Sequence, residues 1–159
     1  MFERILIAVD GSPYSEPAVS TTVELATKFH SQVFVLHVRE HEVGRAGAFP
    51  METPDEAVQL VNQTVKSLTE KGIAATGQVH WAISGQAAKD IVETAKTEAY
   101  DLIVMGSRGL SDFAGLFVGS VTHKVIQLAH IPVLVVRPAE VPVPEREPVG
   151  AAPVMGPIS

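Results

Sequence analysis

Residues 101–121 read DLIVMGSRGLSDFAGLFVGSV, an apolar run that halts at a glycine and resumes as a helix opening on glycine-serine. Leu102-Ile103-Val104-Met105 is short, β-branched and apolar at every position, which predicts a strand buried on both faces. Val121, Val125, Ile126 and Ala129 then recur at helical spacing and predict a helix with one apolar stripe. A buried strand that feeds a helix through a glycine-rich loop is the repeating half of a parallel sheet.

The same alternation extends to both sides. Ile5-Leu6-Ile7-Ala8-Val9 predicts a first buried strand, stopped by Asp10-Gly11-Ser12-Pro13. Ala18, Val19, Val23, Ala26 and Phe29 stripe a first helix, with Ser12 or Ser15 as its candidate cap and Pro13 or Pro17 in its first turn. Val33 to Val38 predicts the second strand. Ala57, Leu60, Val61, Val65 and Leu68 stripe a second helix that stops at Gly72. In residues 75–83, Val79, Trp81 and Ile83 alternate with Gln78, His80 and Ala82, the pattern of an edge strand with one polar face. Ala88, Ile91, Val92 and Ala95 mark a third helix, and Val133 to Val136 a fifth strand entered through Pro132. The order βαβαβαβαβ places the chain in the α/β class, with a parallel sheet and right-handed crossovers.

The 159 residues suffice for one domain. The alternation ends at residue 138, and residues 139–159 are expected to be a disordered, proline-rich tail. Residues 39–55, with Gly44, Gly47, Pro50 and Pro54, are expected to form a long irregular loop. The absence of cysteine excludes disulfides, thiolate catalysis and cysteine zinc sites. A net charge of −6 argues against nucleic-acid and anionic-membrane partners. No apolar run approaches the ~20 residues of a membrane span, and the first residues lack a secretory signal's layout, so a cytoplasmic location is expected.

A small anion is a different matter. Gly106, Gly109 and Gly119-Ser120 bracket one loop with the spacing glycine, two residues, glycine, nine residues, glycine-serine. Glycines let backbone amides approach an anion and can adopt positive φ. A helix start adds unpaired N–H groups and the positive end of its dipole. Each piece alone is an ordinary strand end or helix cap; together, at the carboxyl end of a strand, they predict a phosphate cradle made of backbone. It is neither a Walker loop nor a dinucleotide fingerprint, since Gly-Lys-Ser/Thr and Gly-x-Gly-x-x-Gly are both missing here. Asp10, ending the first strand, has two readings: a ligand for a ribose hydroxyl or divalent ion, or an Asx-turn leading into the first helix. Arg108, between two glycines, is a candidate phosphate partner.

The segments ILIAVDGS (residues 5–12), DLIVMGSRG (101–109), Gly119-Ser120-Val121 and IPVLVVRP (131–138) resemble the nucleotide-binding branch of the universal stress protein family. The resemblance covers about residues 1–138 and meets the glycine spacing without a gap. It implies an open, Rossmann-like sheet of the adenine nucleotide alpha hydrolase type, five parallel strands ordered 3-2-1-4-5 with helices on both faces. It further implies ATP at the carboxyl ends of strands one, two and four. Ala8, Asp10 and Val38 would then line the adenine and ribose. Met105, Gly106, Arg108, Gly109, Gly119, Ser120 and Val121 would surround ribose and phosphates, with magnesium or manganese accompanying them and Asp10 as the candidate metal contact. It also implies a homodimer through Val133 to Val136, an apolar last strand that would otherwise be an open edge.

Hydrolysis needs a base and a positioned water, and the glycine motif holds no carboxylate or glutamine apart from the mid-loop Asp112. Of the six histidines, His30 and His130 fall near helix ends and His80 on the edge strand's polar face. His37 and His41, four apart where a strand ends, need not face one another. His123 and Lys124, in the first turns of the fourth helix, are read as exposed positions, with a phosphate contact as the alternative. Binding without turnover is therefore expected, and with the resemblance this implies a nucleotide-responsive regulatory protein of the stress response. The alternatives are a slow ATPase or a cyclic-AMP-binding protein of the same fold.

Overall fold

The strands meet in a single sheet because their central members are apolar on both faces. In the computed structural model, which describes residues 1–41, 52–108 and 118–138, five parallel strands lie in the order β3-β2-β1-β4-β5. They are β1 (Arg4–Ala8), β2 (Gln32–His41), β3 (Ala75–Ile83), β4 (Leu102–Gly106) and β5 (Val133–Val136). Between them run α1 (Ser15–Phe29), α2 (Pro54–Thr69), α3 (Ala87–Thr97) and α4 (Ser120–Leu128). Ile5, Ile7, Val33, Val35, Leu102 and Val104 pack with α1 and α2 on one face. Leu6, Phe34, Leu36, Ile103 and Met105 pack with α3 and α4 on the other. Alternate side chains of one strand thus serve two cores, each fully buried aliphatic contributing about 1.5–3 kcal/mol. The expected class, strand order and two-sided helix cover are all present.

The order reverses at β1. The chain runs outward through β2 and β3, then returns to add β4 and β5 on the other side. A crevice therefore opens above the carboxyl ends of β1 and β4, where the two directions part.

Several local expectations need correction. Tyr14 is the N-cap of α1, with no side-chain cap bond, so neither Ser12 nor Ser15 caps it. The second strand runs three residues beyond Val38, to His41, so the expected loop at 39–55 begins as sheet and ends inside α2. Ile126, assigned to the apolar stripe of the fourth helix, is 48% exposed, while Val125 is fully buried. Trp81 is 49% and Ile83 69% exposed, although they share a face with Val79. Further down that face α2 closes so tightly that a Cβ at Gly77 would lie 2.5 Å from Val61. At Trp81 the cover is instead the Arg39 guanidinium, 4.5 Å from the ring centre. The expected tail at 139–159 lies outside the described residues.

Candidate functional site

The strand ends set what the crevice is made of. Ala8, Leu36, Val38 and Met105 supply an apolar floor, closed laterally by Ile91 of α3 and Val121 of α4. Around it stand Asp10, His37, Arg39, Glu40, Glu52, Arg108 and Ser120, and the cleft they enclose has a volume of about 230 Å³. Of the residues proposed from sequence, Ala8, Asp10, Val38, Met105, Gly106, Arg108, Ser120 and Val121 all line this one cleft. Gly109 lies outside the described residues.

Two of the residues proposed from sequence, Gly106 and Gly119, have a geometry that differs from the expectation. Gly106 was expected to provide positive φ and close approach to an anion, yet it is not among the positive-φ glycines. Glycine is required there because a Cβ would overlap the Tyr14 carbonyl oxygen and lie 2.9 Å from its carbon. The positive φ sits instead at Gly11 (+74°), in the turn after β1. Gly119 does not face the cleft: it is buried as the N-cap of α4, and its N–H donates to Ser107 O at 2.7 Å. The first bond inside α4 runs from His123 N–H to Gly119 O. The N–H groups of Val121 and Thr122 therefore have no acceptor within the helix, and both residues line the cleft.

Asp10 realises the turn reading. Its Oδ1 accepts from Ser12 N–H at 2.9 Å and from the Ser15 hydroxyl at 2.8 Å, while its own N–H donates to Ser15 Oγ at 3.2 Å. This closed ring fixes the β1–α1 corner and holds the carboxylate at the cleft wall. No group of three or more histidine or acidic side chains suited to a metal ion occurs among the described residues.

Five further residues of the cleft lining were given no part in the site by sequence reasoning. Thr122 is buried, and its hydroxyl donates to Gly106 O at 3.0 Å, tying the first turn of α4 to the end of β4. Glu40 Oε1 accepts from Ala87 N–H at 2.8 Å and so occupies the N-terminus of α3. His37 is only 4% exposed; its Nδ1 lies 2.8 Å from Val9 O and its Nε2 2.8 Å from Glu52 Oε2. Arg39 Nη2 donates to the Glu52 carbonyl. Glu52 is placed there by the start of α2: Thr53 and Glu56 form a capping box, with Thr53 N–H donating to Glu56 Oε2 at 2.6 Å. That backbone bond, aided by the Thr53 hydroxyl, holds the Glu56 carboxyl below its ordinary range. The only sequence signal for the arrangement was Thr-x-x-Glu before an apolar stripe.

A doubly wound α/β fold with its cleft at the switch point defines a broad class of small-ligand proteins. Within it the chain matches the universal stress protein family model over residues 1–137, and it belongs to that family. It is 32% identical over 151 residues to the universal stress protein YxiE of Bacillus subtilis, covering 86% of this chain and 100% of that protein. Among solved structures it resembles MJ0577 of Methanocaldococcus jannaschii, with TM-score 0.75 and 26% identity over 89% of this chain and 99% of that one. It also resembles the Archaeoglobus fulgidus universal stress protein solved in complex with dAMP, with TM-score 0.58 and 25% identity over 85% and 98% of the two chains.

Proposed function

We propose that this protein binds an adenine nucleotide, ATP, in the cleft, and acts as a nucleotide-responsive regulatory protein. The observation that carries the reading is the convergence of four separated segments on one apolar-floored cleft whose wall is the first turn of α4. The base would lie against Ala8, Val38 and Met105, with the Val38 backbone as its partner, and Asp10 would face the ribose. The phosphates would meet the α4 amides, Ser120 and Arg108, whose guanidinium is 5.8 Å from the Tyr14 ring centre. Helices α1, α2 and α3 each carry an acidic residue in the first turn, and α4 carries none. An anion is thus favoured at that helix end without competition from an acidic side chain in the helix's own first turn. The dAMP complex of the Archaeoglobus relative supports an adenine nucleotide.

Binding is favoured over turnover because Asp10, a carboxylate of the cleft lining, has Oδ1 committed to the β1–α1 corner. Mass spectrometry of the purified protein is expected to find a co-purifying adenine nucleotide, and calorimetry one ATP site per chain. Competition by ADP, AMP and cyclic AMP ranks the phosphate requirement. Absence of binding at millimolar ATP would sink the proposal. ATP bound with magnesium or manganese is expected to survive for hours in a single-turnover assay.

We further infer a folded unit at residues 1–138 and a homodimer through β5. The family match ends at residue 137, and β5 is an edge strand with all four residues half-buried. Ile103 N–H and Ser107 N–H donate to Pro132 O and Val136 O, so the N–H groups of Val133 and Val135 point away from β4. Val135→Pro removes one outward donor without cutting the β4 ladder. Sedimentation equilibrium is expected to show a dimer for the native chain and a monomer for the variant. A monomeric native chain overturns the assignment.

A further inference from the structure

One histidine of the cleft wall is held by two acceptors at once, and what this means for a ligand rests on the nucleotide reading above. His37 presents both ring nitrogens to acceptors: Nδ1 to the Val9 carbonyl and Nε2 to the Glu52 carboxylate, each at 2.8 Å. A carbonyl oxygen can only accept, so Nδ1 must carry a hydrogen; an ionised carboxylate demands a second hydrogen on Nε2. The neutral ring has only one. The contact therefore requires an extra proton on the pair. When that proton leaves, the Nε2 lone pair faces a carboxylate and the contact is lost.

The surrounding charges make this proton matter to a ligand. The residues after β1 contribute Asp10 to the lining, β2 contributes Arg39 and Glu40, the approach to α2 contributes Glu52, and the end of β4 contributes Arg108. The lining side chains of α1, α3 and α4 are uncharged. Among the described lining residues, three carboxylates thus face two guanidiniums, and an imidazolium at His37 brings these groups to balance. Without it, these groups carry a net negative charge toward an incoming nucleotide anion. Glu52 also loses one of its two anchors, leaving its carbonyl bond to Arg39.

We propose that His37 is a positioning residue of the nucleotide site, which holds Glu52 across the cleft and makes anion affinity fall as the shared proton is lost with rising pH. The test is calorimetric titration with ATP between about pH 5 and 8, on the full native chain and on Glu52→Gln. The phosphate ionisation of ATP is common to both proteins, so the ratio of their affinities isolates the pair. Glutamine carries no charge, and its amide can turn to donate to a neutral His37. The affinity of the native chain relative to Glu52→Gln is expected to drop about tenfold from the acid to the alkaline end, as for one charge at cleft distance. At the alkaline end, native binding is expected to take up a larger fraction of a proton than Glu52→Gln binding, read from the buffer dependence of the heat. His37→Gln is expected to lose the same pH response. Glu52 is only partly buried, so its variant decides the matter even where the His37 variant folds poorly. Parallel affinity profiles with equal proton uptake overturn the proposal and leave the nucleotide site standing. Failure of the native chain to bind ATP at any pH overturns the nucleotide site itself.

Discussion

Gly106→Ala is expected to lower Tm by on the order of 10 °C and to weaken nucleotide binding at least tenfold. In a strand, alanine in place of a glycine with ordinary φ normally gains about 0.4–1 kcal/mol by restricting the unfolded chain. Here the added methyl meets the Tyr14 backbone, carbonyl carbon at 2.9 Å and Cβ at 3.2 Å. Neither is the yielding end of a flexible side chain. Tyr14 is the N-cap of α1, so relief requires the whole helix start to move away from β4. Overpacking of this kind costs about 1–3 kcal/mol and reverses the sign of the entropic gain. The displaced corner carries the Asp10–Ser12–Ser15 ring, which also forms the cleft wall. Thermal unfolding and ATP calorimetry on the variant check both effects. A variant as stable as the native chain would show that the β4–α1 approach is not tight in solution.

The fold was legible because its decisive signals are local. An all-apolar run such as Leu102 to Met105 cannot be placed at a surface, and alternation of such runs with helical stripes leaves few topologies. The site was legible as a location for the same reason: glycines at a strand end and a glycine-serine helix start fall at the switch point. What those residues do there was less accessible. Gly106 answers to Tyr14, ninety-two positions earlier in the chain, and Gly119 answers to Ser107 across a loop. Contacts of that sequence separation leave no periodic trace. His37 shows the same limit more sharply. Its role depends on Glu52, which arrives only because the Thr53–Glu56 capping box starts α2 at that place. Within β2, His37 is simply a polar residue that follows four apolar ones, Val33 to Leu36.

Ser120→Asp is expected to abolish ATP binding, by a factor on the order of 100 or more, while leaving Tm unchanged or slightly raised. Ser120 is the first residue of α4 after its Gly119 cap, and it is exposed at the cleft wall. For the isolated helix, a carboxylate at that position is favourable by about 0.3–1 kcal/mol, since it complements the dipole. Glu16, Asp55 and Asp90 play that part in α1, α2 and α3. For a bound phosphate the same carboxylate is a like charge at close range, worth about 4 kcal/mol at 4 Å in a partly screened setting. It also competes for the N–H groups of Val121 and Thr122 that the phosphate would use. Helix stability and anion binding thus respond in opposite directions to one substitution, and no general damage to the fold produces that pair of results. Thermal unfolding without ligand and ATP calorimetry, run on the same preparation, read the two responses. ATP affinity equal to that of the native chain would remove α4 from the phosphate site and leave its acid-free first turn without a functional reason.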